Sequence, residues 1–234
     1  MTHDILCEDL STELEQEYFS RIEEINKIEN FFESNRADNN EDLADIMRKS
    51  LILLLYAHFE GFCKQAFQSY IIYINKEQIP ISSVKAGLAA ANMNSAFQKL
   101  FDTNYKPVMI NTYSSDGAIQ LHGRKREFIM SYDTSLAQEM SLGEEFINTE
   151  ANLYPDVLRK ILFQLDLDSS LIDAYQGQIH KLVNIRNSFA HGGRDRPPTQ
   201  NEYNDYKQAA LDTMRNVKSI VEAAFFNRSY LKAV

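Results

Sequence analysis

Arg186 and His191 stand five residues apart in the run Leu182-Val183-Asn184-Ile185-Arg186-Asn187-Ser188-Phe189-Ala190-His191-Gly192-Gly193, where an apolar helix meets a glycine stop. A guanidinium stays charged at physiological pH and matches the oxygens of a phosphate, whereas an imidazole takes up or releases a proton near neutrality. Together they suit chemistry on a phosphodiester, in which one oxygen loses a proton, another gains one, and negative charge builds on the phosphoryl oxygens. Arg-x4-His is a weak pattern by itself; Asn187 directly after the arginine, the apolar lead-in and the Gly-Gly exit sharpen it. The plainer reading puts Arg186 in a surface ion pair and leaves His191 as a cation favoured by the dipole at a helix C-terminus.

One imidazole does not obviously serve as both base and acid. On a straight helix, positions five apart are also about 140° apart in rotation, so the pair shares one site only if His191 sits at the frayed end or a second chain contributes. A symmetric homodimer answers both difficulties. Asn187 either bonds a phosphate and orients His191, or ties the helix end to the following loop. His58, Glu60 and Lys64 form an accessory group on another apolar helix: Glu60 and Lys64 have the spacing of a surface ion pair, or Glu60 fixes the Arg186 guanidinium and His58 donates a proton. His180 reads as a satisfied helix histidine and His122 as a loop residue.

Arg186-Asn187-x-x-x-His191 resembles the R-N-x-x-x-H motif of the HEPN (higher eukaryote and prokaryote nucleotide-binding) superfamily, helical proteins that include many metal-independent ribonucleases of toxin-antitoxin and phage-defence systems. Leu53-Leu54-Leu55-Tyr56-Ala57-His58-Phe59-Glu60-Gly61-Phe62-Cys63-Lys64 resembles a helix of one branch of small stand-alone HEPN proteins, and Asn152-Leu153 with Leu165-Asp166-Leu167-Asp168 resembles that branch's segment before the motif helix. The likeness spans about residues 10 to 225 and is thin from about 76 to 150. It implies a helical bundle, RNA as substrate, a homodimer with two motifs face to face, and products with 2′,3′-cyclic phosphate and 5′-hydroxyl ends. It implies catalytic Arg186, His191 and Asn187, a cognate antitoxin or defence-system partner, and no cofactor or metal. The superfamily also contains non-catalytic modules that bind nucleotides, RNA or a partner.

The elements that must position these side chains are helical. Leu14, Tyr18, Ile22, Ile25, Ile28 and Phe32 recur at steps of three and four, and Thr12 with Glu15 forms a capping box, which predicts a first helix over about 12–34. A second runs from about Glu41 through the apolar stretch to Asn75, before Pro80, and an Ala-rich third covers Val84–Phe101. Periodicity fades from Asn104 to Ser131, where β-prone pieces at Val108-Met109-Ile110 and Phe128-Ile129-Met130 predict a loop or small hairpin insertion. A short helix over Leu153–Leu165 precedes the motif helix, capped by Ser169 or Ser170, with Leu171, Tyr175, Ile179, Leu182 and Phe189 as its buried stripe. Thr199 and Glu202 form a second capping box for a last helix ending near Phe226. The expectation is an all-α, up-and-down bundle, one domain over 1–234 with an insertion at about 76–150.

The net charge of −9 is concentrated at one end: residues 1–60 hold 15 acidic against 5 basic side chains, which leaves a balance of +1 for the rest. Sequence-independent nucleic-acid binders carry a basic stripe, which is lacking here, although Arg124, Lys125, Arg126, Lys181, Arg186, Arg194 and Arg196 offer a local positive surface for RNA. The acidic first helix reads as a solvated face, or as a landing site for a basic antitoxin. Cys7 and Cys63 match no metal spacing and no disulfide framework. The N-terminus lacks a basic signal-peptide start, and the longest apolar run, Leu51–Ala57, is too short to cross a bilayer, so a cytoplasmic protein is expected. No His/Cys/carboxylate cluster with metal spacing, no Gly-rich phosphate loop and no G-x-S-x-G is present, which argues against metal hydrolases and P-loop enzymes.

Overall fold

Leu6, Leu10, Leu14, Tyr18 and Ile25 form one buried stripe, and the helix that carries them, α1, runs over His3–Ser34 in the computed structural model. The structure describes residues 2–34, 41–108, 116–193 and 195–232. α1 starts nine residues earlier than Thr12 predicts because Leu6 and Leu10 continue the apolar stripe toward the N-terminus, so the Thr12/Glu15 pair lies inside a helix and caps nothing.

α2 (Glu41–Lys76) is buried over most of the circumference of its second half, with Phe59, Phe62, Cys63, Ala66, Phe67, Tyr70, Ile71 and Ile74 all fully buried and Lys64 on the side left exposed. Such a helix belongs at the centre of a bundle. It packs on α1, on α7 (Gln176–Ala190) and on α8 (Gln200–Phe226). Cross-helix partners fix the directions. Glu13 on α1 accepts from Ser69 (2.5 Å) and Tyr73 (3.2 Å) of α2, while Glu24 faces His58 at 3.6 Å, so α1 and α2 are antiparallel. Tyr203 donates to Glu29 (2.6 Å) and Ser11 to Glu222 (2.8 Å), so α8 is antiparallel to α1. Arg186 lies over Tyr56, and Lys49 over Phe189, so α7 is antiparallel to α2. The four long helices therefore alternate up and down, in the all-α bundle expected.

Between α2 and α7 come α3 (Ala86–Asn92), α4 (Asn94–Phe101), α5 (Gly117–Leu136) and α6 (Pro155–Gln164), with short 3-10 turns among them. The predicted third helix breaks at Met93 into two pieces. The predicted hairpin is wrong: Phe128-Ile129-Met130 lies within α5, whose N-terminus is capped by the Asp116 carboxylate accepting from the N–H of Ala118 (2.8 Å) and Ile119 (3.3 Å). Met109 and Ile110 lie outside the described residues. α5 escapes apolar periodicity because its buried side is Gln120, Gly123 and Arg124, whereas Ile129 and Met130 face solvent. Among the described residues extended pairing is limited to isolated bridges, Pro80 with Glu139 and Val84 with Leu231. No helix among them is long and apolar enough to cross a membrane.

Around the motif helix two expectations need adjustment. Neither Ser169 nor Ser170 caps α7; Ser170 opens a 3-10 turn to Tyr175, and Asp168 accepts from the Ser170 N–H (2.9 Å). That turn shifts the register, so Ile172 is buried and Leu171 is half exposed. The second capping box is present as predicted: Thr199 and Glu202 exchange their side-chain and backbone bonds, and the Arg196 hydrogen bond holds the Glu202 carboxyl down to about 2.

Arg124 is buried and donates to the carbonyls of Leu100 (3.0 Å) and Tyr105 (3.4 Å), tying α5 to the end of α4. Its replacement in Arg124→Ala should cost about 2 kcal/mol of local stability, since it leaves two carbonyls without a charged donor. In hydrogen exchange, the α5 amides should open roughly thirtyfold more often, and those of α2 and α8 should not change.

Candidate active site

Arg186 projects from α7 onto α2, its guanidinium carbon 4.3 Å from the centroid of the Tyr56 ring. It donates from Nη1 to the amide oxygens of Asn152 (2.9 Å) and Asn187 (2.8 Å). Both partners are neutral, and among the described residues Arg186 forms no ion pair with a carboxylate. A half-buried cation held by amides and a π face is oriented without being neutralised.

Tyr56 supports this arrangement from below. Its hydroxyl accepts from the N–H of Leu153 (2.8 Å), with the Glu60 carboxylate nearby. Burial raises its pKa well above the ordinary phenol range, so the ring stays neutral beneath the guanidinium. Asn152 is delivered by an unusual turn, because Glu150 and Ala151 both have left-handed backbone (φ 52° and 66°) although neither is glycine. Two such residues in succession hold strain against the site that they position.

Asn187 uses its carbonyl for Arg186 and its Nδ2 to donate to the Tyr154 hydroxyl (3.3 Å), which in turn donates to Asn184 (2.9 Å); the Asn184 amide meets His180 Nδ1 at 3.1 Å. Of the two roles open to Asn187, its described bonds serve neither the His191 ring nor the loop; they orient Arg186. His180, Asn184, Asn187 and His191 follow one another at steps of four, three and four, so they share one face of α7.

His191 is the exposed C-cap of α7, its N–H bonded to the Asn187 carbonyl (3.1 Å). Beyond it Gly192 takes φ +72° and donates to Phe189 O (3.3 Å), while Gly193 donates to Ser188 O (2.7 Å), the paired bonds of a Schellman ending. A Cβ on Gly193 would collide with Ser188 Oγ and come within 2.8 Å of its carbonyl, so both glycines are required to turn the chain sharply behind the imidazole. Within one copy Arg186 faces α2 and His191 faces solvent at the helix end, with no hydrogen bond joining them.

The accessory group divides. Glu60 lies near the Tyr56 hydroxyl and does not pair with Arg186, and Lys64 is exposed with no ion pair to Glu60. His58 does not join the site. It points to α1, buried beside Glu24 and Arg21, with Nε2 lacking a hydrogen bond and its pKa lowered mainly by burial. Of the basic residues, Lys181 is exposed on α7, Lys125 and Arg126 are exposed on α5, which packs on α4 away from α7, and Arg124 is turned inward. Arg196 is paired with Glu202 (2.6 Å), and Arg194 lies outside the described residues. Asn152, Tyr154, Asn184 and Tyr56 were not singled out by spacing; only the repeat of polar residues along α7 carries a signal for Asn184. No group of three or more His, Cys, Asp or Glu among the described residues is arranged to hold a metal ion.

The family model of RiboL-PSP-HEPN matches residues 16–223. The chain belongs to this family. The match runs from the middle of α1 nearly to the end of α8 and includes the whole Arg186–His191 motif, so the superfamily resemblance read from the motif and from the Tyr56–Lys64 segment is established at family level, with the nuclease- and RNA-related character that HEPN domains carry. No curated protein and no solved structure matches this RiboL-PSP-HEPN chain.

Because burial lowers the His58 pKa below its unfolded value, the unfolded chain takes up the proton first as pH falls, and stability should decline below about pH 6.5. In His58→Gln that slope should flatten between about pH 6.5 and 5, read as the urea midpoint at each pH; parallel wild-type and variant curves would contradict it.

Proposed function

We propose that this protein is a metal-independent endoribonuclease that works as a homodimer, a toxin or phage-defence effector restrained by a cognate partner in the cytoplasm. The observation that carries the reading is the Arg186 guanidinium, fixed by Asn152, Asn187 and Tyr56 and left without a carboxylate partner among the described residues, on the helix whose end exposes His191. An oriented cation with no internal counter-ion is what a phosphoryl oxygen requires as charge develops on it.

In the reaction, the ribose 2′-hydroxyl attacks the adjacent phosphorus, the bond to the 5′-oxygen breaks, and a 2′,3′-cyclic phosphate and a 5′-hydroxyl result. One proton leaves the 2′-oxygen and one arrives at the 5′-oxygen. A neutral His191 accepts the first, and a protonated His191 from a second copy supplies the other. Arg186 stabilises the phosphorane charge, and Asn187 and Asn152 hold it in place.

Support for the dimer comes from α2. Ile46, Ser50, Leu53 and Ala57 are exposed and spaced four, three and four, the seam spacing of helix pairing, on the same helix as Lys49 and Tyr56, which meet Phe189 and Arg186. A two-fold axis through this face joins two motif ends. The acidic first helix offers a basic antitoxin a complementary surface.

In chelator, the wild type should cleave unstructured RNA, and His191→Ala should lower the rate about 10² to 10⁴-fold with folding unchanged by circular dichroism. Arg186→Ala should behave alike, and both should relieve growth arrest on expression. Binding without cleavage would instead mark a non-catalytic RNA or nucleotide module. Leu53→Asp should convert the dimer to monomer by light scattering and remove cleavage at the same time; an active monomer would contradict the shared site.

A further inference from the structure

We propose that the cleft between the N-terminal ends of α6 and α7 holds an unpaired nucleobase of the RNA, guanine in preference to the other three. The proposal rests on the RNA-cleavage reading for the class of ligand, and on the cleft itself for the rest. The cleft measures about 810 Å³, ample for a base with its ribose, and Tyr154, Asp156, Val157, Gln176, Gly177 and His180 contribute to its wall.

Its back is an aromatic corner. The Tyr154 and His180 rings stand 5.3 Å apart at 50°, offering a π surface of the kind on which unpaired bases stack. Gly177 leaves the adjoining wall open; a Cβ there would meet no atom within 4 Å.

The rim is polar and held in place by one side chain outside the cleft. Arg159 donates to Asp156 (2.8 Å), to Asp173 (2.8 Å) and to the Gln176 amide oxygen (2.7 Å). With its oxygen engaged, Gln176 presents its NH2 as a donor, and Asp156 keeps its second oxygen as an acceptor. Guanine alone among the four bases presents two neighbouring N–H donors beside a carbonyl on one edge: the donors fit the carboxylate and the carbonyl fits the amide. The carboxylates favour a neutral base over a phosphate at this position.

The cleft and the cation share one frame. The Tyr154 hydroxyl donates to Asn184 and accepts from Asn187, whose carbonyl holds Arg186. His180 and Arg186 are six residues apart on α7, a rise of about 9 Å and a turn of about 120°, and Tyr154 with Asn187 bridges the two faces.

Calorimetric titration of the full chain with 3′-GMP, 3′-AMP, 3′-CMP and 3′-UMP tests the proposal. GMP should bind saturably and most tightly. Gly177→Leu, which fills the cleft at a helical position with free space, should weaken that binding at least tenfold while the thermal midpoint stays or rises. Gln176→Ala should narrow the preference among the four. No saturable binding, a ranking not led by GMP, or binding that Gly177→Leu leaves unchanged would overturn the proposal. An RNA cleavage assay on the same samples separates the two readings. His191-dependent cleavage without nucleotide binding removes the cleft and keeps the ribonuclease, whereas nucleotide binding lost in Gly177→Leu without any cleavage does the reverse.

Discussion

A helix that buries most of its circumference has to be enclosed on several sides, and the arrangement of this protein follows from α2. Phe59, Phe62, Phe67, Tyr70 and Ile74 point in several directions, so α1, α7 and α8 each cover part of it. Each such ring, if truncated, would cost about 3–5 kcal/mol, which makes the position of α2 the most strongly determined feature of the bundle. Tyr56 lies where that core gives way to the surface, and the guanidinium of Arg186 rests on it. The site is thus anchored to the least deformable part of the molecule.

The electrostatics of the site depend on which partners were chosen for Arg186. A carboxylate in contact with a half-buried guanidinium would hold it firmly but cancel its charge toward a ligand. Two amide oxygens and a neutral phenol ring fix the same geometry and leave the charge available. Tyr56 remains neutral because burial disfavours the phenolate, and its hydroxyl accepts from the N–H of Leu153. The left-handed Glu150 and Ala151 set Asn152 against Arg186, so part of the folding energy is held as backbone strain next to the site.

The C-terminal end of α7 solves a different problem. An imidazole that exchanges protons with a substrate has to be accessible, yet its backbone has to be held. Gly192 and Gly193 satisfy the last carbonyls of the helix through the Schellman bonds and so fasten the main chain on both sides of His191 while its ring remains in solvent. Along the same helix face, His180, Asn184 and Asn187 are joined in a hydrogen-bonded row through the Tyr154 hydroxyl, with spacing set by the helical rise.

Much of this was legible in the residues. The stripe of α1, the Thr199/Glu202 box, the glycine exit after His191 and the Arg-Asn-x-x-x-His motif are all local, and local rules of periodicity and capping read them directly. α5 was not legible, because a helix that buries glutamine, glycine and arginine carries no apolar period. The partners of Arg186 were not legible either, since Tyr56 and Asn152 lie 130 and 34 residues away and meet it only after α7 has packed on α2. His58 illustrates the same limit in reverse: it shares a helix with Tyr56, two residues on, and that step of about 200° turns it to α1 and away from the site. Sequence by itself determined which side chains can do chemistry and which helix carries them. Tertiary packing decided which of them meet, because the faces of a helix differ by rotation, and only the neighbours that enclose α2 assign each face its partner.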